Sequence, residues 1–168
     1  MKKERKKNKG RMASAICHLL GCLILAAVII SLLPITVPRF LGYEIYSVIS
    51  GSMEPEIPVG SVAYVRPVEP SSLQEGDIVA FHSNGSVIIH RVVSNHQIEG
   101  YLITKGDANE EVDLGEVSYP VINGLVVKHV PVIGEFMIVF SNTMGKVLLL
   151  CLALCGALLN VLAGRYRE

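Results

Sequence analysis

The sequence predicts a mostly β domain set between an N-terminal and a C-terminal membrane-crossing helix. Three observations predict it. Two long apolar runs stand near the ends of the chain, and between them short β-branched runs alternate with Gly, Pro, Asn and Asp. The 168 residues are 51% hydrophobic with a mean hydropathy of +0.47, apolar for a wholly soluble domain. The cysteines Cys17, Cys22, Cys151 and Cys155 all fall in the apolar runs, so neither a disulfide framework nor a CxxC redox pair is expected in the middle. Cys151 and Cys155 share a helix face and are expected to pack.

The opening MKKERKKNKGR, residues 1–11, carries seven Lys/Arg against one Glu, although the net charge of the chain is zero. Residues 12–35 then contain no Asp, Glu, Lys or Arg. A secretory signal peptide also begins basic, but its apolar region is only about 7–15 residues long. The following LLPITVPRF is a poor cleavage site. The run therefore reads as an uncleaved transmembrane helix over residues 12–38, since about 20 residues cross the hydrocarbon. The second run, VLLLCLALCGALLNVLA, is shorter and contains Asn160. It reads as a second transmembrane helix over residues 143–164; the alternative is a buried helix of a globular domain. The positive-inside rule then places the basic residues 1–11 and the tail, residues 165–168, in the cytoplasm. Residues 39–142 are left as an extracytoplasmic domain, enough for one modest core.

In that domain the expected strands are SVAYVRPV, DIVAFH, VIIHRVVS, YLITKG and NGLVVKHVPV. DIVAFHSNGSVIIHRVV is the clearest element, because Asn-Gly between two β-rich runs is a strong hairpin signal. Asn84-Gly85-Ser86 also matches a glycosylation sequon, but a turn explains it without a sugar. VEPSSLQEGD is a loop punctuated by Pro70 and Gly76.

No metal site is expected: His82, His90 and His96 are near in sequence but lack metal-ligand spacing. There is no phosphate-binding glycine loop and no basic stripe on the outer domain, so neither a nucleotide cofactor nor nucleic acid is expected. Three segments can carry chemistry. SVISGSMEP, residues 47–55, holds Ser50 and Ser52 around a glycine that lets a substrate backbone approach. A serine needs a base within reach, and a hydroxyl at Ser50 with nearby backbone N–H groups could stabilise an oxyanion. On its own the segment is also simply a turn. His90 lies on an expected strand, and histidine is the residue type suited to a base near neutral pH; taken by itself it reads as a half-buried strand histidine. KGDANEEVD supplies Asp107 and Asp113, either of which could orient an imidazole; turn chemistry accounts for both as well.

Taken in order, these segments resemble one family. SGSMEP at Ser50–Pro55, GDIVAFH at Gly76–His82, HRVV at His90–Val93, TKGDAN at Thr104–Asn109 and VPVIG at Val130–Gly134 are similar to the motifs of type I signal peptidases of the endoplasmic-reticulum-like branch, found also in Gram-positive bacteria and archaea. The resemblance implies a signal-peptidase-like β catalytic domain, the fold shared with self-cleaving phage-type repressors. It implies Ser52 as nucleophile, Ser50 as oxyanion-hole residue and His90 as general base, where the main bacterial branch has lysine. Asp113 stands at the position of the triad carboxylate, with Asp107 as a supporting or alternative acid. It further implies a serine endopeptidase that removes N-terminal signal peptides from exported preproteins. Its partners would be those preproteins, the lipid bilayer and the secretion translocon, and it would use no cofactor. The competing readings are self-processing, for which no DNA-binding domain is recognisable, and a non-catalytic membrane protein whose outer β domain only binds partners.

Overall fold

The computed structural model describes residues 2–131, Gly134 and 142–165, with side chains described from residue 11 onward. Val132 and Ile133 of the last motif, and residues 166–168 of the tail, lie outside the described residues. The chain divides into two compact units, one of residues 1–34 with 139–168 and one of residues 35–138.

The first unit is helical. Helix α1 spans Lys2–Phe40 and helix α2 spans Thr143–Arg165. Among the described residues two segments are long and apolar enough to cross a membrane, Arg11–Phe40 and Thr143–Arg165. The helices meet at glycines: a Cβ on Gly21 would lie 2.8 Å from the Gly156 carbonyl oxygen, and one on Gly156 would lie 3.1 Å from that of Gly21. Beside this contact Asn160 Oδ1 lies 2.5 Å from His18 Nδ1, and Asn160 Nδ2 donates to the Gly156 carbonyl at 3.0 Å. Ser14 donates to the Ala163 carbonyl at 2.7 Å. Cys151 and Cys155 are exposed, which corrects the expectation that they pack; small residues make the contact instead.

The second unit is the expected β domain. Helix α1 does not stop at Pro34 or Pro38 but runs to Phe40, where Gly42 (φ 84°) turns the chain out. Tyr43 N–H returns to the Pro38 carbonyl and Gly42 N–H to that of Arg39, the double bond of a glycine-terminated helix. Among the described residues seven strands follow: β1 Glu44–Ser47, β2 Val62–Arg66, β3 Ile78–Ser83, β4 Ser86–His96, β5 Tyr101–Lys105, β6 Val117–Ser118 and β7 Ile122–Val130. They form one sheet of order β1-β2-β7-β3-β4-β5-β6, and every pair is antiparallel. The β3–β4 hairpin turns on Asn84 (φ 49°) and Gly85 (φ 78°), both in the left-handed region that a two-residue turn of this kind requires.

Alternation along β3 divides the core. Val79 and Phe81 pack with Leu73, Val92, Leu102 and Val117 on one face. Ile78 and Ile89 face the other way, against Val48, Met53, Ile57 and Ala63. Met53 is 1% exposed and Ile57 fully buried, so the segment after Ser52 is anchored in this second cluster. Gly134 closes the segment from behind: its N–H donates to the Gly60 carbonyl at 2.9 Å, and a Cβ there would lie 2.5 Å from the same oxygen.

Candidate active site

The site assembles from three places: the turn after β1, the middle of β4, and the loop leaving β5. Strand β4 pairs with β3 through His90 opposite Val79, which turns the imidazole into the first core face. There the ring meets Phe81 edge-on, with centroids 6.4 Å apart, and is only 7% exposed. A polar ring so placed needs partners. Its Nδ1 lies 2.6 Å from Asp113 Oδ2. The fully buried Thr104 donates its hydroxyl to the same oxygen at 2.6 Å, and its carbonyl accepts the Asp113 N–H at 2.9 Å. The carboxylate is thus fixed from both backbone and side chain. An ionised carboxylate only accepts, so Nδ1 carries the hydrogen and Nε2 of the neutral ring carries the lone pair.

Nε2 points towards Gly106. A Cβ on Gly106 would lie 3.0 Å from His90 Nε2 and 2.6 Å from the Ser52 carbonyl oxygen. The bare glycine therefore lets the loop after β5 slot between the serine turn and the histidine. Ala108 N–H fastens that contact by donating to the Ser52 carbonyl at 2.9 Å. The serine turn is held at its own far side as well, where Glu54 N–H returns to the Gly51 carbonyl and Ile57 N–H to the Met53 carbonyl.

The two aspartates separate. Asp113 meets His90, whereas Asp107 makes a two-point pair with Arg91, Oδ1 to Nε at 2.8 Å and Oδ2 to Nη2 at 2.6 Å. Arg91 Nη1 also donates to the Gly76 carbonyl at 2.8 Å. The hydrogen bond with Asp107 is the main cause that raises the Arg91 pKa, with burial opposing it. Asp107 therefore stands in the bracing of the loop, adjacent to Gly106. Thr104, Gly106 and Arg91 were not singled out from sequence. The signals were there only in outline, as small and polar residues around Gly-Asp and a cation directly after His90.

Ser50 is exposed, and Ser50 and Ser52 line a groove of ≈ 490 Å³. One wall is the chain from Tyr46 to Met53 and the other is residues 86–89 of β4. Each wall includes a strand edge. Strand β1 ends the sheet, and β5 pairs with β4 only from Arg91 onward, so residues 86–89 are hydrogen-bonded to β3 alone. His82 and His96 have separate partners. His82 Nε2 lies 3.1 Å from Asn123 Nδ2, and His96 stacks on Tyr101. Among the described residues no group of three or more His, Cys, Asp or Glu could hold a metal ion.

The Peptidase S24-like family model matches residues 43–127, from the start of β1 into β7. Signal peptidase I W of Bacillus subtilis (strain 168) is 38% identical over 85 residues, 48% of this chain and 45% of the relative. Signal peptidase complex catalytic subunit SEC11C, in both Homo sapiens and Canis lupus familiaris, is 36% identical over 73 residues, 40% of this chain and 38% of the relative. The aligned part thus spans less than half the length of the curated relatives. The kinship expected from the five motifs, with signal peptidases of the endoplasmic-reticulum-like branch, is borne out.

Proposed function

We propose that this chain, which belongs to the Peptidase S24-like family, is a membrane-bound serine endopeptidase that removes N-terminal signal peptides from exported preproteins. The observation that carries the reading is the hydrogen-bonded set Thr104–Asp113–His90, with the Ser52 turn held against the same glycine that faces His90 Nε2. An oriented imidazole and the Ser52 turn held against one glycine support serine nucleophilic catalysis by His90 and Ser52.

In this reading Ser52 Oγ attacks the scissile carbonyl carbon while His90 Nε2 takes its proton. The carbon–nitrogen bond then breaks, and His90 returns the proton to the leaving amine. Water then gives a proton to His90 and attacks the acyl carbon; the bond from that carbon to Ser52 Oγ breaks, and His90 returns the proton to Ser52 Oγ. Asp113 holds the imidazole and stabilises its charged form. Ser50 donates to the oxyanion. Asp107 acts through Arg91, keeping the Gly106 loop in place. The substrate lies extended in the groove and pairs with its two strand edges, a mode that suits small side chains near the cut.

The membrane assignment rests on the two apolar helices and the basic N-terminus. Both ends are cytoplasmic and the β unit is extracytoplasmic in this reading. Ser52 follows the last residue of α1 by only a dozen positions in the chain, which suits a bond that emerges at the bilayer surface. The secretion translocon is the assembly that would deliver such substrates. The test is to incubate membranes carrying the full chain with a presecretory protein and sequence the new N-terminus. Cleavage at the signal-peptide junction that disappears in Ser52→Ala supports the reading. Cleavage that persists at the wild-type rate in Ser52→Ala sinks the mechanism, and a partner-binding protein would cleave in neither case.

A further inference from the structure

At the end of the groove away from Ser52 stands a second polar cluster, on β1, β3 and β7. Tyr46 donates its hydroxyl to Glu44 Oε2 at 2.5 Å. Asn123 Nδ2 lies 3.1 Å from Glu44 Oε2, 3.0 Å from Tyr46 Oη and 3.1 Å from His82 Nε2. The amide nitrogen has two hydrogens for these three neighbours, and Glu44 Oε2 already accepts from Tyr46. Asn123 Oδ1 meanwhile is buried with no hydrogen-bond partner. With the amide turned over, that oxygen would instead accept from Tyr46 or from the N–H of His82. In either orientation the partners of the Glu44 carboxylate are the neutral Tyr46 and Asn123, not a cation. Glu44 makes no ion pair among the described residues. Burial and then the bond to Glu44 raise the Tyr46 pKa, so the phenol stays protonated and adds no charge of its own.

Tyr46, itself part of the groove wall, joins the cluster to the groove. His82 pairs across the hairpin with Val87, another wall residue, so the two side chains share one face of the sheet. Val87 is three positions before His90, which is about 10 Å along a strand. A peptide lying extended beside β4 would therefore bring its fourth or fifth residue from the scissile bond, roughly, to this place.

We propose that Glu44, Tyr46, His82 and Asn123 form a distal subsite that takes a lysine or arginine side chain of the substrate upstream of the scissile bond. The inference rests on the endopeptidase reading above. The upstream side is assigned because the segment before the cut is what preproteins have in common. The stem of the basic side chain lies along the Tyr46 ring and its head reaches the Glu44 carboxylate, giving it the cation partner that it lacks among the described residues.

The experiment uses membranes carrying the full chain and one presecretory protein, with lysine or glutamate placed at each residue before the scissile bond in turn. The readout is the ratio of kcat/KM for the lysine version to that for the glutamate version. A partly exposed charge pair predicts a ratio of about fivefold at the matching position and about one elsewhere. Glu44→Gln should bring that ratio close to one. Equal cleavage of lysine and glutamate versions at every position by the wild type overturns the subsite and leaves the endopeptidase reading standing. A preference that survives in Glu44→Gln overturns it as well. The wild-type scan decides even where the variant fails to accumulate. If the wild type cleaves none of the series, the endopeptidase reading falls, and this inference with it.

Discussion

Gly106→Ala is the sharpest probe of the site, because it touches the serine turn and the histidine at once without removing a functional group. The added methyl carbon would lie 2.6 Å from the Ser52 carbonyl oxygen, 2.8 Å from Asn109 Nδ2 and 3.0 Å from His90 Nε2. The asparagine amide can move aside. The Ser52 carbonyl is backbone, and it is also held by the Ala108 N–H at 2.9 Å. An ordinary contact starts near 3.4 Å, so the turn and the loop must part by roughly 0.8 Å, and a displacement of that order costs about 10²-fold in rate. Overpacking of this kind also costs about 1–3 kcal/mol in stability. The assay is cleavage of a presecretory protein per folded molecule, with abundance in the membrane measured in parallel. Gly164→Ala, where nothing lies within 4 Å, is the matched control and should behave as wild type. A Gly106→Ala protein that folds and cleaves at the wild-type rate would refute the claim that the loop sets the spacing of Ser52 and His90.

Asp113→Asn should lose up to about 10⁴ in turnover while remaining folded, because the imidazole loses the partner that holds its tautomer; Asp107→Asn should mainly lower abundance, and the reverse pattern in cleavage per folded molecule would exchange their roles. Thr104→Val keeps the shape but removes a hydroxyl bonded to the Asp113 carboxylate, so it should cost about 1.5–3 kcal/mol in stability or an equivalent loss of rate; thermal melting with a cleavage assay checks this. Ser50→Ala should be milder than Ser52→Ala, slowing turnover by at most about 10²–10³ at saturating substrate. For topology, protease added to intact cells should spare tags at both ends of the chain, and loss of the C-terminal tag alone would remove α2 as a span.

The parts of the fold that depend on local chemistry were legible in the sequence. Asn84-Gly85 announced the hairpin because few other residue pairs take two left-handed conformations in succession. The edge strands β1 and β6 were not seen. GYEIYS follows a helix with no turn cluster of the usual kind, and Val117–Ser118 is two residues long. Both are strands only because a neighbour, β2 or β5, offers them a partner. The site divides in the same way. His90 and Ser52 could be proposed from residue type, but sequence chemistry left Asp107 and Asp113 equivalent, and only the motif position favoured Asp113. In the fold the difference is set by Arg91, which captures Asp107 on the opposite face of β4 from His90. Gly106 was illegible for a deeper reason. Its φ is not in the left-handed region, so nothing local demands glycine; the demand comes from a turn more than fifty residues earlier in the chain.

Asn160 makes the same point for the helices. Read in one dimension it weakens the second apolar run, since an amide in hydrocarbon costs free energy unless it is bonded. Helix α2 answers that cost in two ways. The Asn160 amide nitrogen bonds back to the Gly156 carbonyl one turn earlier, and its oxygen meets His18 of α1. Contacts of this sort inside a bilayer contribute only about 0.6–2 kcal/mol each, too little to hold two helices together by themselves. Their larger effect is on register. Gly21 and Gly156 allow close approach at one level, and Asn160 fits only beside Gly21, where a Cβ would lie 2.5 Å from its amide nitrogen. Sliding the helices by a turn in one direction would bring Ile24 or Leu25 to the place of Gly21, and in either direction would take the amide away from the only glycine of α1 within that stretch. The residue that argued against a span when read alone is, once α1 is beside it, the one that fixes how the two helices pair.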